Sequence, residues 1–265
     1  MNKKLFFLLA ILAVSFYSIA QTPNWDSLFK EAAKTEIYTP VPPIVTPGAS
    51  PQDAPSDAII LFNGNNLDAW YGDDSSKAAG WDIADGIMTV NKKMGGIMTK
   101  QKFIDYQLHI EWRIPVNITG EGQMRGNSGV WLARTGVNAA GYDEGYHIQI
   151  LDSYNNTTYV NGQAGALYKQ TIPLVNACKK PGEWQTYDII WKAPRFNRGG
   201  SLKSPGFVTV IHNGVLLQNN AEVKGITQWI GKPYYKAHGA LPIKLEMHGD
   251  PSEPISFRNI WIRTL

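Results

Sequence analysis

The sequence predicts an all-β fold of two packed antiparallel sheets. Three observations carry that prediction. From Ala58 onward, short runs of alternating apolar and polar residues recur between turn formers, among them "AIILFN", "YQLHIEWRIP", "YHIQILD" and "GFVTVIHNGVLLQN". Alternation with a period of two is the signature of a half-buried strand. Asn213-Gly214 stands between two such runs and is the strongest hairpin signal in the chain. No helical stripe longer than about ten residues follows the first quarter of the sequence. Closely spaced strands without helices between them leave a sandwich or barrel, and the lack of a fixed repeat argues against a propeller.

The chain starts differently. "MNKKLFFLLAILAVSFYSIAQ" places Lys3 and Lys4 before an apolar run that ends at small residues. That order predicts a signal peptide over residues 1–20, and the run is short for a membrane span. Residues 21–57 read as a short helix, "NWDSLFKEAAKTE", capped by Asn24 or Asp26, followed by an arm with six prolines. Residues 58–265 form the β-domain. Without Lys3 and Lys4 the formal charge falls from +3 to +1, so no nucleic-acid surface is expected. Cys178 is the only cysteine, which excludes an intrachain disulfide and a zinc–cysteine site. Export without disulfides suits the periplasm or surface of a Gram-negative bacterium, with no membrane attachment after cleavage.

Polar side chains concentrate on certain strand faces. In "YQLHIEWRIP", Tyr106, Leu108, Ile110, Trp112 and Ile114 share an apolar face opposite Gln107, His109, Glu111 and Arg113. "GQMRGNSGVWLAR" offers Arg125, Asn127 and Trp131 beside glycines where backbone can approach a ligand. "EGYHIQILDSY" sets His147 and Gln149 opposite Tyr146, Ile148 and Ile150, with Asp152 just beyond. "KLEMHG" places Glu246 and His248 on one parity. If Glu111, Arg113, Gln149, Glu246 and His248 shared one face, it would suit sugar recognition. Carboxylates, amides and Arg would meet the hydroxyls, and Trp131, Trp70, Tyr168 or Trp184 would stack on the ring. The alternative for each strand alone is a solvated outer face. No G-x-S-x-G, H-E-x-x-H, phosphate loop or dinucleotide fingerprint occurs.

"SDAIILFNGNNLDAW", "WDIADGIMTV", "YQLHIEWRIP", "GQMRGNSGVWL", "PGEWQTYDIIWKAPRF" and "ISFRNIWIR" stand in the order typical of the 3-keto-disaccharide hydrolase family, which the chain resembles over about residues 41–265. The resemblance implies a concanavalin A-like jelly-roll sandwich that cleaves glycosides already oxidised at sugar carbon 3. The ketone acidifies the C2 proton; its removal gives an enolate that expels the C1 substituent, and water adds afterwards. On this reading Glu111 is the base, Arg113 with His248 stabilises the oxyanion, and Asp152 or His147 serves the leaving group. Arg125, Asn127, Trp131, Gln149, Tyr168 and Glu246 would bind substrate. No cofactor is required; a divalent cation on Glu111, Asp152, Glu246 and His248 is the one addition the resemblance admits.

Two departures stand out. The family usually has Tyr-Glu-apolar-Gln where Tyr146-His147-Ile148-Gln149 stands, and Gln-Asp-His-Gly where Glu246-Met247-His248-Gly249 stands. Either Glu246 replaces a charge lost at His147 or the chemistry changes. A non-catalytic carbohydrate-binding jelly roll and a conventional glucanase-like hydrolase, acting through Glu111 and Glu246, stay open as alternatives.

Overall fold

The computed structural model describes residues 23–265, so the expected signal peptide at 1–20 lies outside the described residues. The chain divides after Ile44 into two units. In the first, helix α1 (Trp25–Ala33) is capped by Asn24, whose side chain accepts from the Ser27 N–H at 3.2 Å. An extended segment follows. Among the described residues no helix is long and apolar enough to cross a membrane.

The second unit, Val45–Leu265, is the β-body. Its strands are β1 (Ile59–Phe62), β2 (Trp70–Gly72), β3 (Asp82–Ala84), β4 (Ile87–Thr89), β5 (Ile97–Thr99), β6 (Tyr106–Arg113), β7 (Ser128–Val137) and β8 (Asp143–Ile150). There follow β9 (Trp184–Lys192), β10 (Arg195–Phe196), β11 (Leu202–Ser204), β12 (Phe207–His212), β13 (Val215–Glu222), β14 (Lys244–Leu245) and β15 (Ser256–Thr264). One sheet of eight strands runs β13-β12-β9-β6-β15-β4-β3, with β1 also paired to β15; a second of five runs β2-β5-β14-β7-β8. Every pairing is antiparallel, and the two sheets stack as a jelly-roll sandwich. The Asn213-Gly214 turn joins β12 to β13 with φ of 53° and 80°, the left-handed pair a tight hairpin needs.

The core lies between the sheets. Leu108, Ile110 and Trp112 of β6 and Tyr187 and Ile189 of β9 face Val130, Leu132, Tyr146, Ile148 and Ile150 of the smaller sheet, all fully buried. Two phenols tie the layers together. Tyr106 donates to the Leu132 carbonyl at 2.7 Å and Tyr187 to the Gln149 carbonyl at 2.8 Å. Each satisfies its own buried hydroxyl while fixing a backbone position on the opposite sheet.

Since Leu108 and Ile110 point into the core, alternation turns His109 and Glu111 to the outer face of the eight-stranded sheet. That face is not solvated there. His109 stacks on Trp261 at 5.2 Å, and the indole N–H of Trp261 donates to the Gln52 carbonyl at 2.9 Å. Burial alone would push the His109 imidazole down, but Asp188, 2.7 Å from Nδ1, and Glu111 outweigh it and raise the pKa to about 9. Burial likewise opposes ionisation of Glu111. The His109 ring, 3.8 Å away, and hydrogen bonds from Asn259 and Arg258 prevail and hold it at about 2.

The two groups give stability opposite pH limits. The His109 contribution is complete below its ordinary 6.5 and disappears as pH rises through about 9. The Glu111 contribution is complete above 4.5 and disappears as pH falls through about 2. Denaturant midpoints are therefore expected to decline between pH 6.5 and 9, and His109→Gln to flatten that decline. An unchanged slope in the variant would assign the decline to other groups.

Candidate active site

The outer face of the smaller sheet carries a cavity of about 700 Å³, in the size range of small-molecule sites. It exists because the alternation of β8 works both ways: Tyr146, Ile148 and Ile150 enter the core, so His147 and Gln149 point outward into the cavity. Trp131 on β7 is the register partner of His147, with ring centroids 4.6 Å apart.

Glu246 follows β14, on the far side of β7 from β8. Its N–H donates to the Gly129 carbonyl at 3.0 Å, and its own carbonyl accepts from the Ser128 hydroxyl at 2.7 Å. Its side chain then reaches across β7, where Oε2 meets His147 Nε2 at 2.9 Å. The crossing is possible only because residue 129 has no side chain. A Cβ there would lie 1.7 Å from His147 Nε2. The space above this glycine, expected from the sequence to admit a ligand, is filled by the imidazole of His147.

The environment sets the charges. Burial opposes ionisation of Glu246, but the His147 hydrogen bond and the fields of His147, His248 and Lys244 hold its carboxyl below the ordinary 4.5. A carboxylate only accepts, so His147 Nε2 carries the donated proton. His147 Nδ1 is buried without a partner. No donor among the described residues meets Glu246 Oε1, and the side chain stays 20% exposed. His248 is the complement. Burial pushes its imidazole down, yet Asp250 at 2.8 Å and the charge of Glu246 raise it above the ordinary 6.5. The site thus holds a carboxylate with one open oxygen and an imidazole disposed to be cationic.

Gln149, Asn127 and Gln123 close one end. Gln149 Nε2 donates to Gln123 Oε1 and Asn127 Oδ1, both at 3.1 Å, while Asn127 Nδ2 donates to the Gln123 carbonyl at 2.8 Å. With those donors committed to one another, Gln149 Oε1 is left as a free acceptor for a hydroxyl. Tyr168 forms a side wall, edge-on to His147 at 5.5 Å, and its hydroxyl lies 2.5 Å from that of Tyr159.

Of the residues singled out in the sequence, the cavity gathers Asn127, Trp131, His147, Gln149, Tyr168, Glu246 and His248. Glu111, Arg113, Arg125 and Asp152 lie elsewhere, as do Trp70 and Trp184, which corrects the grouping of Glu111 and Arg113 with Gln149 and Glu246 on one face. Glu111 and Arg113 belong to the other sheet, a full sandwich away. There Arg113 and Arg258 pack on Trp184, at 4.6 and 4.1 Å from the ring centroid. Asp152 is fully buried and accepts from Arg125 Nε at 2.6 Å; the same guanidinium donates to the Ile118 and Gly120 carbonyls. That pair fixes the loop carrying Gln123 and Asn127 rather than entering the cavity. Strand parity gave the face of each residue but not the sheet to which it belonged. Trp70 is a core residue. Tyr142, Tyr159 and Trp229, not among the residues expected from the sequence, also line the cavity. Their only signal was a large aromatic within a turn-rich segment. Among the described residues no cluster of three or more His, Cys, Asp and Glu side chains is placed to hold a metal ion. Of the four suggested ligands, Glu111 lies on the other sheet and the buried Asp152 is bound by Arg125.

A jelly-roll sandwich with a carboxylate–imidazole pair in an aromatic-walled cavity defines a carbohydrate-active protein of glycosyl-hydrolase type. The chain belongs to the family of 3-keto-alpha-glucoside-1,2-lyase-like domains, whose model matches residues 57–263. It is similar to a solved structure of a candidate glycosyl hydrolase from Parabacteroides distasonis, at 57% identity and a TM-score of 0.81, covering 88% of this chain and 96% of that one. A second candidate glycosyl hydrolase from the same organism matches at 25% identity and a TM-score of 0.54, over 78% of this chain and 99% of that one. A third, at 19% identity, TM-score 0.56 and coverage of 79% and 94%, shares the fold. No curated protein matches the chain.

Proposed function

We propose that the cavity cleaves 3-keto-glycosides by elimination across C1 and C2, followed by hydration. The observation that carries this reading is the His147–Glu246 pair, with Glu246 ionised and one carboxylate oxygen open to the cavity. Glu246 Oε1 takes the C2 proton, and the released electron pair passes to the C3 oxygen. There a His248 imidazolium donates a hydrogen bond to the developing enolate. Collapse of the enolate breaks the C1–O bond, and the proton held on Glu246 goes to the departing oxygen. Water then adds at C1 and a proton returns to C2, so that the two steps sum to hydrolysis. His147 orients the carboxylate, and Gln149 accepts from a sugar hydroxyl. This arrangement moves the base from Glu111 to Glu246 and answers the two departures from the family pattern: the charge missing at 147 is supplied from 246. The leader-like order of residues 1–20 supports export.

The test is incubation with a 3-keto-glucoside and its unoxidised parent in D₂O, with and without EDTA. The expected result is release from the keto-glucoside alone, with deuterium at C2 of the sugar product. Equal cleavage of the parent without label would mean a conventional glycosidase. Binding without release would mean a carbohydrate-binding module.

The rate should follow a broad bell in pH. A depressed Glu246 keeps the base ionised below pH 4.5, and a raised His248 keeps the donor protonated above pH 6.5. The plateau of kcat/KM is therefore expected to extend beyond both values. Limbs falling inside that interval would contradict these roles.

A further inference from the structure

The two ends of the cavity differ in chemistry. Gln149 and Asp143 lie at opposite ends of β8, about 20 Å apart along an extended strand, with His147 between them. The Gln149 end presents carboxamides. At the Asp143 end the polar groups face the protein. Asp143 is bound by Arg134 at 2.7 Å and Lys244 at 2.5 Å, and Asn138 Oδ1 accepts from the N–H groups of Ala140 and Tyr142, both at 3.0 Å. What remains toward the cavity is chiefly apolar: Ile230 and two aromatic rings, beside Gln228, whose amide donates to the Thr227 carbonyl. Trp229 and Tyr142 meet edge to face at 5.2 Å, and they are 54% and 49% exposed.

The backbone carbonyl at each ring is hydrogen-bonded. The Tyr142 carbonyl accepts from the Asn138 N–H at 2.8 Å, and the Trp229 carbonyl accepts from Lys169 Nζ at 2.7 Å. Lys169 itself sits at φ 57°, a left-handed conformation that only a specific local arrangement sustains in a residue with a side chain. An exposed indole held edge to face against a second ring offers a stacking platform.

We propose that the Trp229–Tyr142 ledge is the leaving-group subsite, and that it takes a flat, weakly polar face: an aryl ring or the apolar face of a second pyranose. The inference rests on the keto-glycoside reading. It follows from the order of groups along β8, with hydroxyl recognition at one end, bond cleavage at His147–Glu246, and stacking at the other end.

The test measures kcat/KM for three 3-keto-glucosides, bearing a phenyl, a glucosyl or a methyl leaving group, in the wild type, Trp229→Ala and Trp229→Phe. The wild type is expected to prefer the phenyl or glucosyl substrate over the methyl one. Trp229→Ala should cut that preference about tenfold through KM, as loss of a stacking partner would, and Trp229→Phe should restore most of it. The larger of the two losses identifies which flat group the ledge accepts. Loss of equal size for all three substrates, or no loss, overturns the proposal. Calorimetric binding of unoxidised phenyl glucoside separates the ledge from the chemistry. If the wild type cleaves none of the three, the keto-glycoside reading fails. Binding weakened in Trp229→Ala then still supports the ledge, and equal binding overturns it.

Discussion

Glu246→Gln is expected to lower kcat for a 3-keto-glucoside about a thousandfold, the range for loss of a positioned general base, with KM within a few-fold of wild type. Glutamine keeps the shape of the side chain and its place beside His147. It removes the oxygen that can take a proton. The matched control is Glu111→Gln, on the other sheet. Glu111 is held by Arg258 at 2.6 Å and Asn259 at 2.9 Å, so this variant should lose stability and keep its turnover. Single-turnover kinetics with near-ultraviolet circular dichroism would separate the two. A Glu246→Gln enzyme within tenfold of wild type, or a Glu111→Gln enzyme that is folded and inactive, would return the base to Glu111.

Gly129→Ala is expected to have the second-largest effect, from a single methyl group. The new carbon would lie 1.7 Å from His147 Nε2 and 2.5 Å from Cε1, so the imidazole must leave its position. Displacement of a catalytic group by about 1 Å costs on the order of a hundredfold in rate. Overpacking at a buried site costs about 1–3 kcal/mol. The effect should also be non-additive. In a His147→Ala background the added methyl has room, so the double variant is expected to be more stable than Gly129→Ala alone and no more active. Chemical denaturation of the four proteins of this cycle reads the coupling directly. Additive losses would show that Gly129 serves the backbone of β7 rather than the His147–Glu246 contact.

The fold was legible because it rests on local rules. Tyr146, Ile148 and Ile150 alternate with His147 and Gln149, and the burial follows that alternation along β8. Asn213-Gly214 has few conformations to choose from, and it adopts the turn expected of it. The site was legible only in part, because sites form between strands far apart in sequence. Glu111 and Glu246 have similar surroundings in the sequence, yet β6 and β14 belong to different sheets. Nothing in either strand says so. Asp152 resembles a site residue because it is acidic and follows Gln149 closely. Its burial beneath Arg125 depends on how the 118–126 loop folds back. Trp229 and Tyr142 were invisible for the reverse reason: they lie in irregular segments where periodicity carries no information.

The bridge over Gly129 also bears on how such proteins can diverge. Two strands flanking a third can each supply the anionic oxygen to one point in space, provided the strand between them stays bare. An acid can then migrate from one segment of the gene to another without the reaction centre moving. Intermediates carrying both acids, or neither, would be impaired, so the exchange favours paired substitutions. A search that demands an acidic residue at position 147 would discard this chain, although its negative charge stands a hydrogen bond away, on residue 246.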